Sequence, residues 1–111
     1  MSKTAPPFEL YFENEYINAF DGLSPSDQKR VERAIQLLAQ NPRYPSLHVH
    51  KYKGTTGKYP NVGGDSIFIA YASQGKGALR IIFEFGPAPG QIALHTCGPH
   101  DKAERNFKPK K

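Results

Sequence analysis

The sequence predicts an α+β fold with the element order β-α-α-β-β-β. Four stretches have the alternating or continuously apolar pattern of strands, namely 8–13, 66–73, 78–85 and 92–97. Between the first and second of them, residues 14–40 repeat their apolar side chains at helical spacing. Residues 102–107 fit one further short helix.

One domain accounts for all 111 residues, with flexible ends predicted over 1–7 and 108–111. In the first strand, Phe8, Leu10 and Phe12 are expected to face the core. A short helix should follow it, capped by Asn14, with an apolar stripe of Tyr16, Ile17 and Phe20.

The second helix has the clearest boundaries in the chain. Ser24 is predicted as its N-cap, Pro25 as its first residue, and Asn41-Pro42 as its end. Its apolar stripe is expected to consist of Val31, Ala34, Ile35 and Leu38. Together the two helices are predicted to form a hairpin on the apolar face of the sheet.

Residues 78–97 predict an amphipathic β-hairpin closed by the Pro/Gly turn at 86–90. Matching the apolar faces places Phe83 opposite Ile92, Ile81 opposite Leu94 and Arg80 opposite His95. The outward face would then carry an arginine beside a histidine, and we expect function there. For Arg80 the alternative is a surface arginine paired with Glu84.

The connection 42–65 is long, basic and rich in glycine, which is typical of functional loops. The chain has a formal net charge of +5, and residues 41–64 contain four bases and no acid. Basic groups interleaved with aromatic rings suit phosphate contacts and base stacking. The predicted RNA-binding residues are Lys51, Lys53, Lys58, Tyr59 and Lys102.

Several classes of protein are disfavoured by what the sequence lacks. No apolar run approaches the length of a membrane span, and residues 1–10 do not have the pattern of a signal peptide. The lone cysteine, Cys97, excludes an internal disulfide, favours a cytoplasmic location, and is expected to be a small core residue. No Walker loop, nucleophile elbow or zinc-finger spacing is present.

The histidines permit three interpretations: metal ligation, a structural role, or acid–base chemistry. The His48-x-His50 spacing suits a metal, but the sequence fixes no third ligand nearby, so no cofactor is predicted. In the third interpretation, Arg80 would offset the charge that develops on a phosphoryl group, while His100 would protonate the leaving 5′-oxygen. Arginine and histidine together suffice for metal-free cleavage of RNA.

Three segments, in this order and spacing, resemble a known family. They are LLAQNPRYPSLHVHKYKG at 37–54, ALRIIFEF at 78–85 and IALHTCGPHD at 92–101. Over residues 8–107 the chain resembles toxins of the RelE/ParE superfamily, from bacterial type II toxin–antitoxin modules.

The resemblance implies a small twisted antiparallel sheet with an N-terminal helical hairpin on one face and a concave opposite face. In the RelE-like and YoeB-like branches, that concave face binds mRNA on the ribosome and cuts it without metal. By resemblance, Arg80 is the phosphate-stabilising arginine, and His100 occupies the catalytic position near the C-terminus.

The sequence also departs from the family. Strand 66–73 has none of the lysines that RelE-like nucleases carry there, and no acid lies near Pro45-Ser46, where YoeB-like members have a catalytic glutamate. The resemblance therefore leaves the general base open. The candidates are Lys51, Lys53, Lys58 and His95.

The implied partners are a cognate antitoxin protein, mRNA and the ribosome. Two alternatives remain for the same fold: a ParE-like poison of DNA gyrase, and a catalytically inert binding relative.

Overall fold

The computed structural model describes residues 7–52, 56–64, 66–74 and 78–99. These ranges contain a five-stranded sheet, three helices and one 3-10 turn at Pro45–Leu47. The strands are β1 (Glu9–Phe12), β2 (His50–Lys51), β3 (Phe68–Tyr71), β4 (Leu79–Phe85) and β5 (Gln91–Pro99). The helices are α1 (Asn14–Asp21), α2 (Pro25–Gln40) and α3 (Pro60–Gly63).

The α+β fold is confirmed, and α1 and α2 pack on one face of the sheet as predicted. The strand order is β1-β5-β4-β3-β2, and every neighbouring pair is antiparallel except β1 with β5. The sheet is therefore mixed, and the expectation of a purely antiparallel sheet is wrong for β1. Parallel pairing is possible because the chain between β1 and β5 runs through the helices and the strands β2 to β4 before it returns beside β1.

Helix α2 begins and ends at the residues that the sequence predicts. Ser24 is the N-cap, and its hydroxyl accepts a hydrogen bond from the Asp27 amide at 3.2 Å. Such a cap stabilises a helix by about 1 kcal/mol relative to alanine. The predicted stripe of Val31, Ala34, Ile35 and Leu38 is buried against the sheet.

Helix α1 differs from its prediction at both its cap and its stripe. Glu13 occupies the N-cap position without a side-chain cap bond, and Asn14 is already the first helical residue. Tyr16 is buried, but Ile17 is 43% exposed. The Glu13 carboxylate is not available for capping because it binds another segment, described below.

The main core lies between the helices and the sheet. It contains the core-facing side chains of β4 and β5, and Phe8 and Leu10 pack against it from the first strand. Phe12, which was expected in the core, is 45% exposed and contacts the Tyr16 ring at a tilt of 43° instead. Cys97 is buried in this core, as predicted.

The register of the hairpin differs from the prediction by two residues on the turn side, where Phe83 was expected opposite Ile92, and a β-bulge beyond it adds one more. Phe83 pairs with Leu94 but Ile82 pairs with Thr96, so His95 is the additional residue on β5. The predicted pairs Phe83–Ile92, Ile81–Leu94 and Arg80–His95 are therefore all wrong. Arg80 stands opposite Gly98. Beyond the bulge the faces of β5 exchange, so Cys97 enters the core in the place expected of Thr96.

The second face of the sheet is not fully open. Ile67, Ile69 and Ile82 form a small second core there, with Tyr52 packed against it. Residues 56–64, which we call the strap, cross β4 on this face. Two glycines allow the close approach: a Cβ on Gly57 would collide with the Glu84 carboxylate, and one on Gly86 would lie 2.6 Å from Cβ of Tyr59.

Some predicted features fall outside the described residues, namely the helix at 102–107 and the flexible ends at 1–6 and 108–111. In the part of the chain that is described, no helix is both long and apolar enough to cross a membrane.

Candidate functional site

Arg80 lies at the start of β4, half-buried, and its guanidinium is fixed in place. Its Cζ lies 3.6 Å from the centre of the Tyr71 ring, which is its cross-strand neighbour on β3. One guanidinium nitrogen also donates to the carbonyl oxygens of Ser73, at 3.1 Å, and Leu79, at 3.2 Å. The arginine is thus held by a cation–π contact and two backbone acceptors.

No carboxylate among the described residues forms an ion pair with Arg80. The alternative of an Arg80–Glu84 pair is therefore wrong, because Glu84 is bound four residues further along β4. Within the described ranges the guanidinium has no neighbouring carboxylate, which suits it to an anionic ligand.

Two histidines meet the same tyrosine. The ring of His48 lies 5.1 Å from that of Tyr71, centre to centre, and the ring of His50 lies 5.8 Å from it in an edge-on arrangement. Both histidines are exposed. We call Arg80, Tyr71, His48 and His50 the Tyr71 cluster.

The local backbone explains how both histidines reach Tyr71. The 3-10 turn at Pro45–Leu47 ends on His48, which adopts the left-handed conformation with φ of 48°. The chain then enters β2, which pairs with β3 and places His50 opposite Ile69. The Nδ1 atom of His50 lies 2.8 Å from the His48 carbonyl oxygen.

The surroundings of the Tyr71 cluster are basic. Lys51 follows His50 in β2 and is exposed. Next to Tyr71, between α2 and the end of β3, lies a cleft of about 370 Å³ whose wall includes Arg30 and Arg33. An anion with an aromatic or planar part fits such a corner.

His95 lies in a different place from the one predicted. It is 2% exposed, and its Nε2 lies 2.7 Å from Oε1 of Glu84. The same carboxylate accepts backbone N–H groups of the strap from Lys58, at 2.8 Å, and Tyr59, at 2.9 Å. Because Glu84 is four residues from Arg80 along β4, the His95–Glu84 pair lies roughly 13 Å from the Tyr71 cluster.

The strap has a second attachment at the start of α1. The Tyr59 hydroxyl donates to Oε2 of Glu13 at 2.6 Å, and Lys58 Nζ lies 3.4 Å from Oε1 of the same residue. This hydrogen bond, more than burial, raises the pKa of the Tyr59 hydroxyl well above its ordinary value. Of the predicted RNA-binding residues, Tyr59 thus has its hydroxyl engaged in holding the strap, while the Lys58 side chain is 61% exposed.

Three predicted site residues, His100, Lys53 and Lys102, lie outside the described ranges. The described part of β5 ends at Pro99, opposite Leu79, so the strand leading to His100 reaches the sheet end where Arg80 stands. The role of each predicted site residue stays a prediction.

Within the described ranges, no three His, Cys, Asp or Glu side chains come together as metal ligands would. His48 and His50 have no third ligand there.

Sequence reasoning named Arg80 and noted both histidines, but it missed Tyr71. Its position at the end of an apolar strand gave no sign of function. The β3–β4 register, which pairs it with Arg80, is the signal that identifies it.

Comparison with solved structures identifies the fold. The chain is similar to the archaeal RelE–RelB complex of Pyrococcus horikoshii OT3, at 17% identity and a TM-score of 0.62, over 87% of this chain and 99% of the other. It is also similar to the intact Escherichia coli RelBE toxin–antitoxin complex, at 10% identity and 0.57, over 83% and 95%. A third similar structure is a double arginine-to-alanine mutant of the E. coli toxin RelE in the free state, at 9% and 0.55, over 88% and 87%.

No family model matches the sequence, and no curated protein matches it. The likeness is therefore one of structure at low identity. The structural similarity is nevertheless extensive, because it spans more than four fifths of this chain in each of the three comparisons. The chain has the fold of RelE toxins.

Proposed function

We propose that this protein is the toxin of a toxin–antitoxin module and acts as an endoribonuclease that cuts mRNA on the ribosome. Support for a toxin comes from the fold, since the similar structures are described as RelE–RelB and RelBE complexes and as toxin RelE. Support for RNA cleavage comes from the Tyr71 cluster.

The observation that carries the proposal is the state of Arg80. Its guanidinium is half-buried, fixed over Tyr71, and not paired with a carboxylate among the described residues. A positive charge held in advance in a partly dry site stabilises the negative charge that grows on a phosphoryl group in the transition state. Removing one such donor typically slows an enzyme by 100-fold to 1,000-fold.

The proposed reaction needs no metal. A general base takes the proton of a ribose 2′-hydroxyl, the 2′-oxygen attacks the adjacent phosphorus, and the bond from phosphorus to the 5′-oxygen breaks. His100 gives its proton to that leaving oxygen, so the products are a 2′,3′-cyclic phosphate and a 5′-hydroxyl. Lys51, Lys53, Lys58 and Lys102 would hold the phosphates of the message, and Tyr59 would offer its ring to a base.

The proposed protein partner is a cognate antitoxin, and a basic toxin surface favours an acidic segment in it. The formal net charge of +5 and the acid-free segment 41–64 support this complementarity.

Growth arrest and cleavage in a translating extract test the proposal. We expect the wild type to cut messages in the extract and to act weakly on free RNA, and both Arg80→Ala and His100→Ala to abolish cutting. Lys29→Ala is the control, because Lys29 is an exposed base on α2 outside both the Tyr71 cluster and the segment 41–64, and it should act within about threefold of wild type.

The alternatives give different results. Intact messages together with DNA breaks trapped on gyrase would assign the fold to gyrase poisoning instead. Normal growth on overexpression without any antitoxin would indicate an inert binding protein.

A further inference from the structure

We propose that His50 is the general base that removes the proton from the attacking 2′-hydroxyl. This assignment rests on the proposed RNA cleavage and supplies the residue that the sequence left open. His50 was not among the sequence-based candidates for the base.

The structure disfavours two of those candidates. His95 is 2% exposed and bonded to the buried Glu84 carboxylate, so a bound message cannot reach its ring without opening the sheet face. Lys58 points its ammonium group at Glu13, next to α1 and away from Arg80. Neither side chain takes part in the Tyr71 cluster.

The hydrogen bond to His48 sets the tautomer of His50. A carbonyl oxygen only accepts hydrogen bonds, so the Nδ1 atom that lies 2.8 Å from it carries the hydrogen. In the neutral ring the lone pair is then on Nε2, on the far side from the backbone. Histidines that act as bases are commonly oriented by such a bond to the nitrogen that does not react.

A second contact fixes the direction of the ring. His50 meets Tyr71 edge-on, with an angle of 84° between the ring planes. Tyr71 also carries the Arg80 guanidinium on its face, so one side chain positions both groups. The His50 ring and the Arg80 guanidinium are therefore separated by no more than the two contact distances together, so both lie within reach of one nucleotide.

His48 contributes to this arrangement through its backbone. The amide of His48 closes the 3-10 turn by donating to the Pro45 carbonyl at 3.2 Å, and the left-handed conformation follows. Its carbonyl oxygen then faces Nδ1 of His50. We therefore assign His48 a positioning role that any residue tolerant of the left-handed region can take over.

The proton balance of the step is complete. Nε2 of His50 takes the 2′-hydroxyl proton while the 2′-oxygen forms its bond to phosphorus. His100 supplies the proton that the leaving 5′-oxygen requires, as in the proposed function. The imidazolium formed on His50 returns its proton to water after the product leaves.

The test uses the full chain and single-turnover cleavage of a message on programmed ribosomes. His50→Ala is expected to slow cleavage by about 100-fold or more, the usual size of a general-base contribution. Added imidazole should restore much of the rate to His50→Ala, because the ring was exposed and its space is open. It should not restore Arg80→Ala.

Two further variants separate catalysis from structure. His50→Asn retains an N–H donor for the His48 carbonyl but has no base at the Nε2 position, so it should be as slow as His50→Ala. Lys29→Ala, at an exposed position on α2 outside the Tyr71 cluster, is the control and should stay within about threefold of wild type.

The contrary outcomes are distinct. If Arg80→Ala is inactive but His50→Ala or His50→Asn cleaves normally, His50 is not the base and the nuclease proposal stands. A slow His50→Ala that imidazole does not rescue also overturns the assignment, since a missing base is replaceable and a lost packing contact is not. If the wild type leaves the message intact, the proposed function fails, and the role of His50 fails with it.

Discussion

His95 and Glu84 form a buried pair, with Nε2 of the histidine 2.7 Å from Oε1 of the glutamate and both side chains at most 2% exposed. The pair sits at the β-bulge, where the additional residue on β5 turns its ring toward β4. The same carboxylate receives two amides of the strap, so one side chain joins the hairpin to the segment that covers it.

Replacing Glu84 is expected to destabilise the protein strongly. Glu84→Ala leaves two strap amides and the His95 ring without their acceptor, and losing one partner of a buried pair typically costs 3–5 kcal/mol. Glu84→Gln keeps the volume and one acceptor oxygen, so it should cost less. Urea unfolding measures both, with Glu32→Ala, an exposed site on α2, expected within about 0.5 kcal/mol of wild type. A Glu84→Ala protein as stable as wild type would contradict this role.

Tyr59→Phe is expected to destabilise the protein by about 1 kcal/mol at neutral pH, because the hydrogen bond to Glu13 is only partly shielded from water. The pKa of the hydroxyl is raised in the folded state, so this contribution is complete below the ordinary tyrosine value and is lost as the pH rises above it.

The stability gap between wild type and Tyr59→Phe should therefore shrink above about pH 10, measured by urea unfolding across a pH series. The other tyrosines titrate in both proteins and cancel in the difference. A gap that grows with pH would refute the assignment.

Tyr71 is expected to act through its ring rather than its hydroxyl. Among the described residues the hydroxyl makes no hydrogen bond, whereas the ring contacts Arg80 and both histidines of the Tyr71 cluster. Tyr71→Phe should keep the proposed cleavage within about threefold, and Tyr71→Ala should lower it at least about tenfold by releasing the guanidinium. The cleavage rate on programmed ribosomes distinguishes the two roles. An equal loss of rate in Tyr71→Phe and Tyr71→Ala would indicate that the hydroxyl is the group required.

Cys97 is expected to resist alkylation in the folded protein. Burial raises the pKa of its thiol to about 12, so almost no thiolate exists at pH 8, and the core restricts access as well. Iodoacetamide at pH 8 should label it slowly in buffer and rapidly in urea. Fast labelling of the folded protein would place Cys97 at the surface.

The sequence predicted best the parts of the fold that local chemistry determines. Ser24 and Pro25 mark the start of α2 through backbone geometry that depends only on their neighbours. The direction of β1 was not predictable in this way, because nothing in its four residues indicates that it pairs with β5, which follows only after the helices and the strands β2 to β4.

The register of the β4–β5 hairpin shows why the site was only partly predicted. Alternation along β5 looks unbroken from Ile92 to Thr96, so the simplest register put His95 beside Arg80. Neither the two-residue shift at the turn nor the additional residue at the bulge leaves a mark in that pattern, yet together they move Arg80 from His95 to Gly98. The role proposed for His50 was not predictable from the sequence for a related reason. Its tautomer depends on the His48 carbonyl oxygen, which the left-handed backbone at His48 directs toward Nδ1.

The strap divides one sheet surface into two regions that experiments can read separately. Around Glu84 the surface is sealed, and changes there should alter the melting temperature with little direct effect on the proposed reaction. Around Tyr71 the surface is open, and changes there should alter the reaction in a protein that melts normally. A library of single variants, scored for both properties, should therefore separate into two groups whose border on β4 lies between Arg80 and Glu84.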